Sequence, residues 1–131
     1  MDELPIQSGD DVVRVRQSVR NAAADNGLSL VDQTKLVTAA SELARNTLVH
    51  GGGGRARVEV VKSANGRAGV KLYFTDEGPG ITDIELALTD GWTTGTGLGL
   101  GLSGARRLVD EFELTSKPGG GTSVTVVKWS R

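Results

Sequence analysis

The stretch TTGTGLGLGLSGARRLVDEF, residues 93–112, places five glycines in its first twelve positions and then turns into a charged amphipathic segment. Glycine loses more backbone freedom on folding than any other residue and offers no side chain to pack. A run of glycines before a helix therefore suggests a backbone that must approach something closely. Residues 99–104 spell G-x-G-x-x-G. The dinucleotide-binding version of that pattern follows an apolar strand and is answered by an acidic residue about 20 positions later; neither accompanies it here. A P-loop is excluded as well, because no Gly-Lys-Ser or Gly-Lys-Thr follows. One remaining reading has the amides of Gly95, Gly97, Gly99, Gly101 and Gly104 facing a polyphosphate, with the positive N-terminal end of the following helix behind them. The other is a lid with no ligand.

Working outward, the chain has 131 residues, a length that suits one domain with one core. Only five aromatic residues are present, Tyr73, Phe74, Trp92, Phe112 and Trp129, so the core must be built from Val, Leu, Ala and Ile. Fifteen basic and 16 acidic residues give a net charge of -1, which argues against a nucleic-acid partner. Cysteine is absent, which excludes disulfides and thiolate metal sites. No segment resembles a signal peptide or reaches transmembrane length. The expectation is a cytoplasmic protein with no membrane contact.

Periodicity supplies the elements. Residues 4–7 read as a short edge strand interrupted by proline. Asp10 is placed as an N-cap, and Val12, Val15, Val19, Ala22 and Ala23 follow at helical spacing up to Asn26-Gly27. Ser29, with Asp32 three residues later, opens a second helix that runs to about His50, with Leu36, Ala40, Leu43 and Thr47 on one stripe. Residues 55–61 and 69–75 read as a hairpin around Asn65-Gly66. Asp83 is expected to cap a short helix through Leu88. A helix from Gly101 to Asp110 follows, and residues 112–115 and 123–129 close the chain as a second hairpin. The order β-α-α-β-β-α-α-β-β implies the α+β class. The expected architecture is a two-layer α/β sandwich with a mixed, mostly antiparallel sheet covered by helices on one face.

Two further motifs carry chemistry. Glu42, Asn46 and His50 recur at i, i+4 and i+8, so they share one helical stripe. A carboxylate and a carboxamide there suit Mg²⁺ or the activation of a hydroxyl; a solvated helix face is the plain alternative. Asp76-Glu77-Gly78-Pro79-Gly80 follows an apolar strand. A carboxylate at a strand end can accept a hydrogen bond from an exocyclic amine such as that of adenine, with Gly78 and Gly80 admitting the base. The same residues also make an ordinary turn.

In sequence order, a Glu/Asn helix, a strand ending in D-x-G-x-G and a glycine-rich loop opening a helix resemble the GHKL (Bergerat-fold) ATP-binding superfamily. The three segments look like its N, G1 and G2 boxes, and Gly121-Thr122-Ser123-Val124-Thr125 looks like a fourth element of the family. The resemblance covers nearly the whole chain. SELARN, DEGPGI, GLGLGLSGARRLVDEF and the ending VKW are most similar to the small stand-alone serine/threonine kinases of the RsbT, or switch-kinase, type. The anti-sigma-factor kinases of the RsbW type are close by.

The resemblance implies ATP and Mg²⁺ as cofactors. It implies Glu42 as the catalytic acidic residue and Asn46 as the Mg²⁺-binding asparagine. Asp76 would bind adenine, with Gly78 and Gly80 shaping its pocket. Gly97, Gly99 and Gly101, with Leu98 and Leu100 between them, would form the phosphate lid, and Thr122 would hold adenine. His50 is placed at a phosphate-facing position or as a helix C-cap. Arg45 is left between a partner surface and a surface salt bridge. The implied activity is transfer of the γ-phosphoryl of Mg-ATP to a serine or threonine of a STAS-domain protein, with a PP2C-type phosphatase as second partner. The alternatives are an RsbW-type kinase that binds a sigma factor, a homodimer as in that type, and a non-catalytic ATP-dependent binding module.

Overall fold

The computed structural model describes residues 2–80 and 101–130. Along the chain these form β1 (Asp2–Ile6), α1 (Gly9–Asp25), α2 (Leu30–Val49), β2 (Gly54–Lys62), β3 (Ala68–Asp76), α3 (Gly101–Leu108), β4 (Glu111–Ser116) and β5 (Thr122–Trp129). The helix expected from Asp83 to Leu88 lies outside the described residues, as do Gly97, Leu98, Gly99 and Leu100. The strands form one five-stranded sheet in the order β1-β2-β3-β5-β4, and all four pairings are antiparallel.

Register makes the two faces of this sheet unlike. One row runs Ala56, Phe74, Val124, Leu114, and the next parallel row runs Val58, Leu72, Val126, Phe112. These side chains point to one face and join the helix stripes in one core. Val15, Val19 and Ala23 of α1 and Leu36, Ala40 and Leu43 of α2 are all buried there. The intervening row, Arg57, Tyr73, Thr125 and Glu113, points the other way. Contacts on this face are polar: the Arg57 guanidinium stacks 4.5 Å from the Tyr73 ring centroid, and the Tyr73 hydroxyl donates to Glu59 at 3.3 Å. Among the described residues the helices therefore cover one side of the sheet, the expected two-layer arrangement.

Local chemistry sets the helix ends, with two corrections. The N-cap of α1 is Ser8, not Asp10, which falls in the first turn. The reason is that Asp11 reaches back to accept the Gln7 amide at 2.8 Å, placing the acidic residue three positions after the cap. Ser29 does cap α2, accepting the Asp32 amide at 3.1 Å, an interaction that contributes about 1 kcal/mol. Helix α3 ends at Leu108, two residues earlier than expected, because Asp110 turns back to β5: its amide donates to the Val127 carbonyl at 2.9 Å.

The inward face also carries a charge. Lys128, only 4% exposed, follows Val124 and Val126 on the core side. Its ammonium lies 3.6 Å from Asp32 at the start of α2 and 3.5 Å from Asp110 beyond α3. A buried cation is tolerable only when paired. This triad ties the last strand to two helices, and nothing in the sequence pattern singles it out.

Candidate functional site

Helix α2 delivers the polar stripe to one end of the sheet. Asn46 is 5% exposed, and its Oδ1 is buried without a hydrogen-bond partner. Such an acceptor destabilises the fold unless something fills the position. One turn earlier, Glu42 has a side chain 13% exposed. Its Oε1 accepts from Arg45 at 3.0 Å, and its Oε2 accepts from the amide of Gly101, the first residue of α3, at 3.3 Å. His50 is the C-cap of α2. Its Nε2 stands 3.1 Å from the Gly80 carbonyl, so that nitrogen carries the proton and donates.

Asp76 ends β3, the central strand, and pairs in register with Gly54 on one side and Thr122 on the other. It is 5% exposed, and its Oδ1 accepts the Gly78 amide at 2.9 Å. Glycines wall it in for steric reasons. A Cβ on Gly51 would overlap the Asp76 carboxyl, and one on Gly121 would overlap the Asp76 carbonyl oxygen. Gly80 has a φ of +78°, and a side chain there would strike the Lys117 carbonyl. The Pro79 carbonyl accepts from Gly119 at 2.6 Å, which fastens the Asp76–Gly80 loop to the β4–β5 turn. Thr122 is buried, and its hydroxyl shares a hydrogen bond with Ser116 at 2.9 Å.

Of the candidate residues, Asn46, His50, Asp76, Gly78, Gly80 and Thr122 thus gather around the ends of α2, β3 and β5. Glu42 stands one turn back along α2, against Gly101. A cleft of about 530 Å³ beside this group is lined by Asp76 and by Gly51–Gly54, but by none of the other candidate residues. Sequence reasoning missed Gly51 and Ser116. Gly51–Gly54 follow directly on the His50 cap of α2. Their legible signal was that one or two glycines suffice to end a helix, so four imply a further demand. Ser103, in the first turn of α3, also has a buried hydroxyl with no partner.

A family model described as histidine kinase-, DNA gyrase B- and HSP90-like ATPase matches residues 31–130. The serine/threonine-protein kinase RsbT of Bacillus subtilis is 46% identical over 121 residues, covering 92% of this chain and 90% of the relative. An anti-sigma F factor from a Thermoanaerobacter species is 30% identical over 117 residues, covering 87% and 82%. Among solved structures, the RsbU and RsbW domains of a Mycobacterium tuberculosis protein superpose with a TM-score of 0.62 at 22% identity. The superposition covers all of this chain and 33% of that one, so this chain spans about a third of it. A mycobacterial sensor histidine kinase, MprB, gives 0.58 at 21% identity, covering 99% of both chains. The last two are likenesses of fold alone. Sequence and architecture agree: the chain belongs to the histidine kinase-, DNA gyrase B- and HSP90-like ATPase family, and within it to the RsbT-type serine/threonine-protein kinases.

Proposed function

We propose that this kinase transfers the γ-phosphoryl group of Mg-ATP to a serine or threonine of a STAS-domain protein, in the cytoplasm, as one step of a partner switch. The observation that carries the reading is the buried, unpartnered Oδ1 of Asn46 one turn beyond a carboxylate. Mg²⁺ is commonly held by one or two protein oxygens together with substrate phosphates and water. Asn46 supplies a donor of that type, so its chemistry fits. Among the described residues no group of three or more His, Asp or Glu side chains is placed to hold a metal, so on this reading phosphates and water complete the shell. When bound, the ion neutralises charge on the phosphates.

The chain's own residues take the remaining roles. The Asp76 carboxylate accepts from the exocyclic amine of adenine, in a recess kept open by Gly51, Gly78 and Gly80. Thr122 supports the same edge of the base, its hydroxyl oriented by Ser116. Gly97, Leu98, Gly99 and Leu100 bring backbone amides to the phosphates, and Gly101 begins the helix whose positive end faces them. His50 holds the Gly80 turn. Glu42 accepts the proton of the acceptor hydroxyl. A bond forms from that oxygen to the γ-phosphorus, the bond from the γ-phosphorus to the β–γ bridging oxygen breaks, and its electron pair leaves on ADP. Catalysis is mainly positioning and charge stabilisation.

A surface groove of about 310 Å³ between α1 and α2 supports access to Glu42, which lines it together with Arg16, Arg20, Thr38 and Ser41. An acceptor segment lying there reaches the carboxylate. Phosphorylation adds close to two negative charges and weakens the contact that allowed it by repulsion and desolvation. A PP2C-type phosphatase is the proposed second partner after release.

The test is the intact mass of a candidate STAS-domain protein incubated with this chain and Mg-ATP. One added phosphoryl group, lost with Glu42→Gln, is the expected result. Complex formation with no added mass favours a nucleotide-dependent binding module. Binding to a sigma factor in place of the STAS protein favours the anti-sigma role named for the Thermoanaerobacter relative.

A further inference from the structure

Arg45 is the charged residue of the 41–50 segment that the functional reading leaves unused. It is half exposed, whereas the Glu42 side chain it contacts is only 13% exposed. An exposed i,i+3 ion pair contributes a few tenths of a kcal/mol and constrains little. This pair differs in two respects. The carboxylate is largely withdrawn from water, so water competes less for its orientation. Its second oxygen is already held, at 3.3 Å, by the Gly101 amide. One oxygen is therefore gripped from α2 itself and the other from the first residue of α3, where the glycine-rich segment ends.

We infer that Arg45 is a positioning residue for Glu42. Its Nη1, 3.0 Å from Oε1, fixes the carboxylate so that Oε2 meets the start of α3. Each oxygen retains a lone pair for an incoming hydroxyl. Without Arg45 the carboxylate has rotamers that leave the Gly101 amide. The assignment rests on the reading of Glu42 as the proton acceptor, but the contact it predicts is measurable without any acceptor protein.

The experiment uses the full chain and four variants: Arg45→Ala, Arg45→Lys, Glu42→Gln and the double variant Arg45→Ala/Glu42→Gln. The first readout is the Gly101 amide resonance in nucleotide-free protein. Arg45→Ala is expected to move it in the direction seen in Glu42→Gln, Arg45→Lys to leave it near wild type, and the double variant to match Glu42→Gln alone. The second readout is phosphotransfer to the acceptor found by the mass assay. Loss of one charge-assisted hydrogen bond should lower kcat about tenfold in Arg45→Ala. The KM for ATP should stay within about twofold, and Arg45→Lys should restore most of the rate. A Gly101 resonance unmoved by Arg45→Ala overturns the inference. So does a rise in the acceptor's KM with kcat unchanged, which makes Arg45 a docking residue. Full activity in Glu42→Gln overturns the functional reading, while the resonance data still decide whether Arg45 orients Glu42.

Discussion

The two ends of helix α2 treat buried polar groups in opposite ways. At the N-terminal end Asp32 lies against the ammonium of Lys128, which Asp110 approaches from the other side. At the C-terminal end Asn46 presents a buried oxygen to nothing, and the neighbouring Asp76 is walled by glycines where side chains would fit in an ordinary loop. A paired buried charge holds elements together, and breaking the pair leaves an uncompensated charge. An unpaired buried acceptor is tolerated at a loss of stability and is best explained by something outside the chain that completes it. On the proposed function, one helix therefore carries a structural end and a binding end, and the state of its polar groups tells them apart.

The contrast can be broken most forcefully at the structural end. Lys128→Ala removes the buried cation that lies against Asp32 and Asp110 and is expected to destabilise the fold by about 3–5 kcal/mol, read by denaturant unfolding. Nucleotide affinity of the fraction that remains folded should not change. A loss below 1 kcal/mol would show that the triad is solvated and would erase the distinction. At the binding end, Asp76→Asn keeps the volume and an acceptor for the Gly78 amide but removes the charge that receives an amine. ATP affinity should fall by about 100-fold, or roughly 2.7 kcal/mol, with a melting temperature near wild type. Equal affinity in calorimetry would remove Asp76 from the adenine site. Asn46→Ala sharpens the comparison by a smaller effect on stability. Deleting an acceptor that has no partner should change unfolding free energy by less than about 1 kcal/mol, while the Mg²⁺ dependence of ATP binding disappears. Ser29→Ala has the narrowest effect: about 1 kcal/mol of stability and no effect on nucleotide.

Much of this was legible in the residues. The stripe Leu36, Ala40, Leu43 and Thr47 is buried as its spacing required, because a 3.6-residue period leaves an amphipathic helix one face to hide. The two hairpins and the Ser29 cap follow from equally local signals. The α1 cap was misplaced because Ser8 and Asp10 both suit the position, and the deciding contact, Asp11 to the Gln7 amide, depends on where the chain leaves β1. The polar stripe at Glu42, Asn46 and His50 was visible as spacing, but spacing is the same for a solvated face. Burial of Asn46 without a partner is what separates the two.

The sequence by itself determined the elements of the described residues, their order and the class of fold, and it made the three motifs visible, since each depends mainly on residues within one or two turns of one another. Tertiary structure decided what Gly51 and Gly54 must make room for, because only in the fold would a Cβ at Gly51 meet the Asp76 carboxyl and one at Gly54 the Thr75 carbonyl oxygen. It decided that Lys128 is an interior residue joined to Asp32 and Asp110, and that Glu42 is shared between Arg45 and Gly101. The Asp76, Lys128 and Gly101 contacts join positions 18 or more residues apart. Folding brings such residues together through the packing of the whole core, so no local pattern records them.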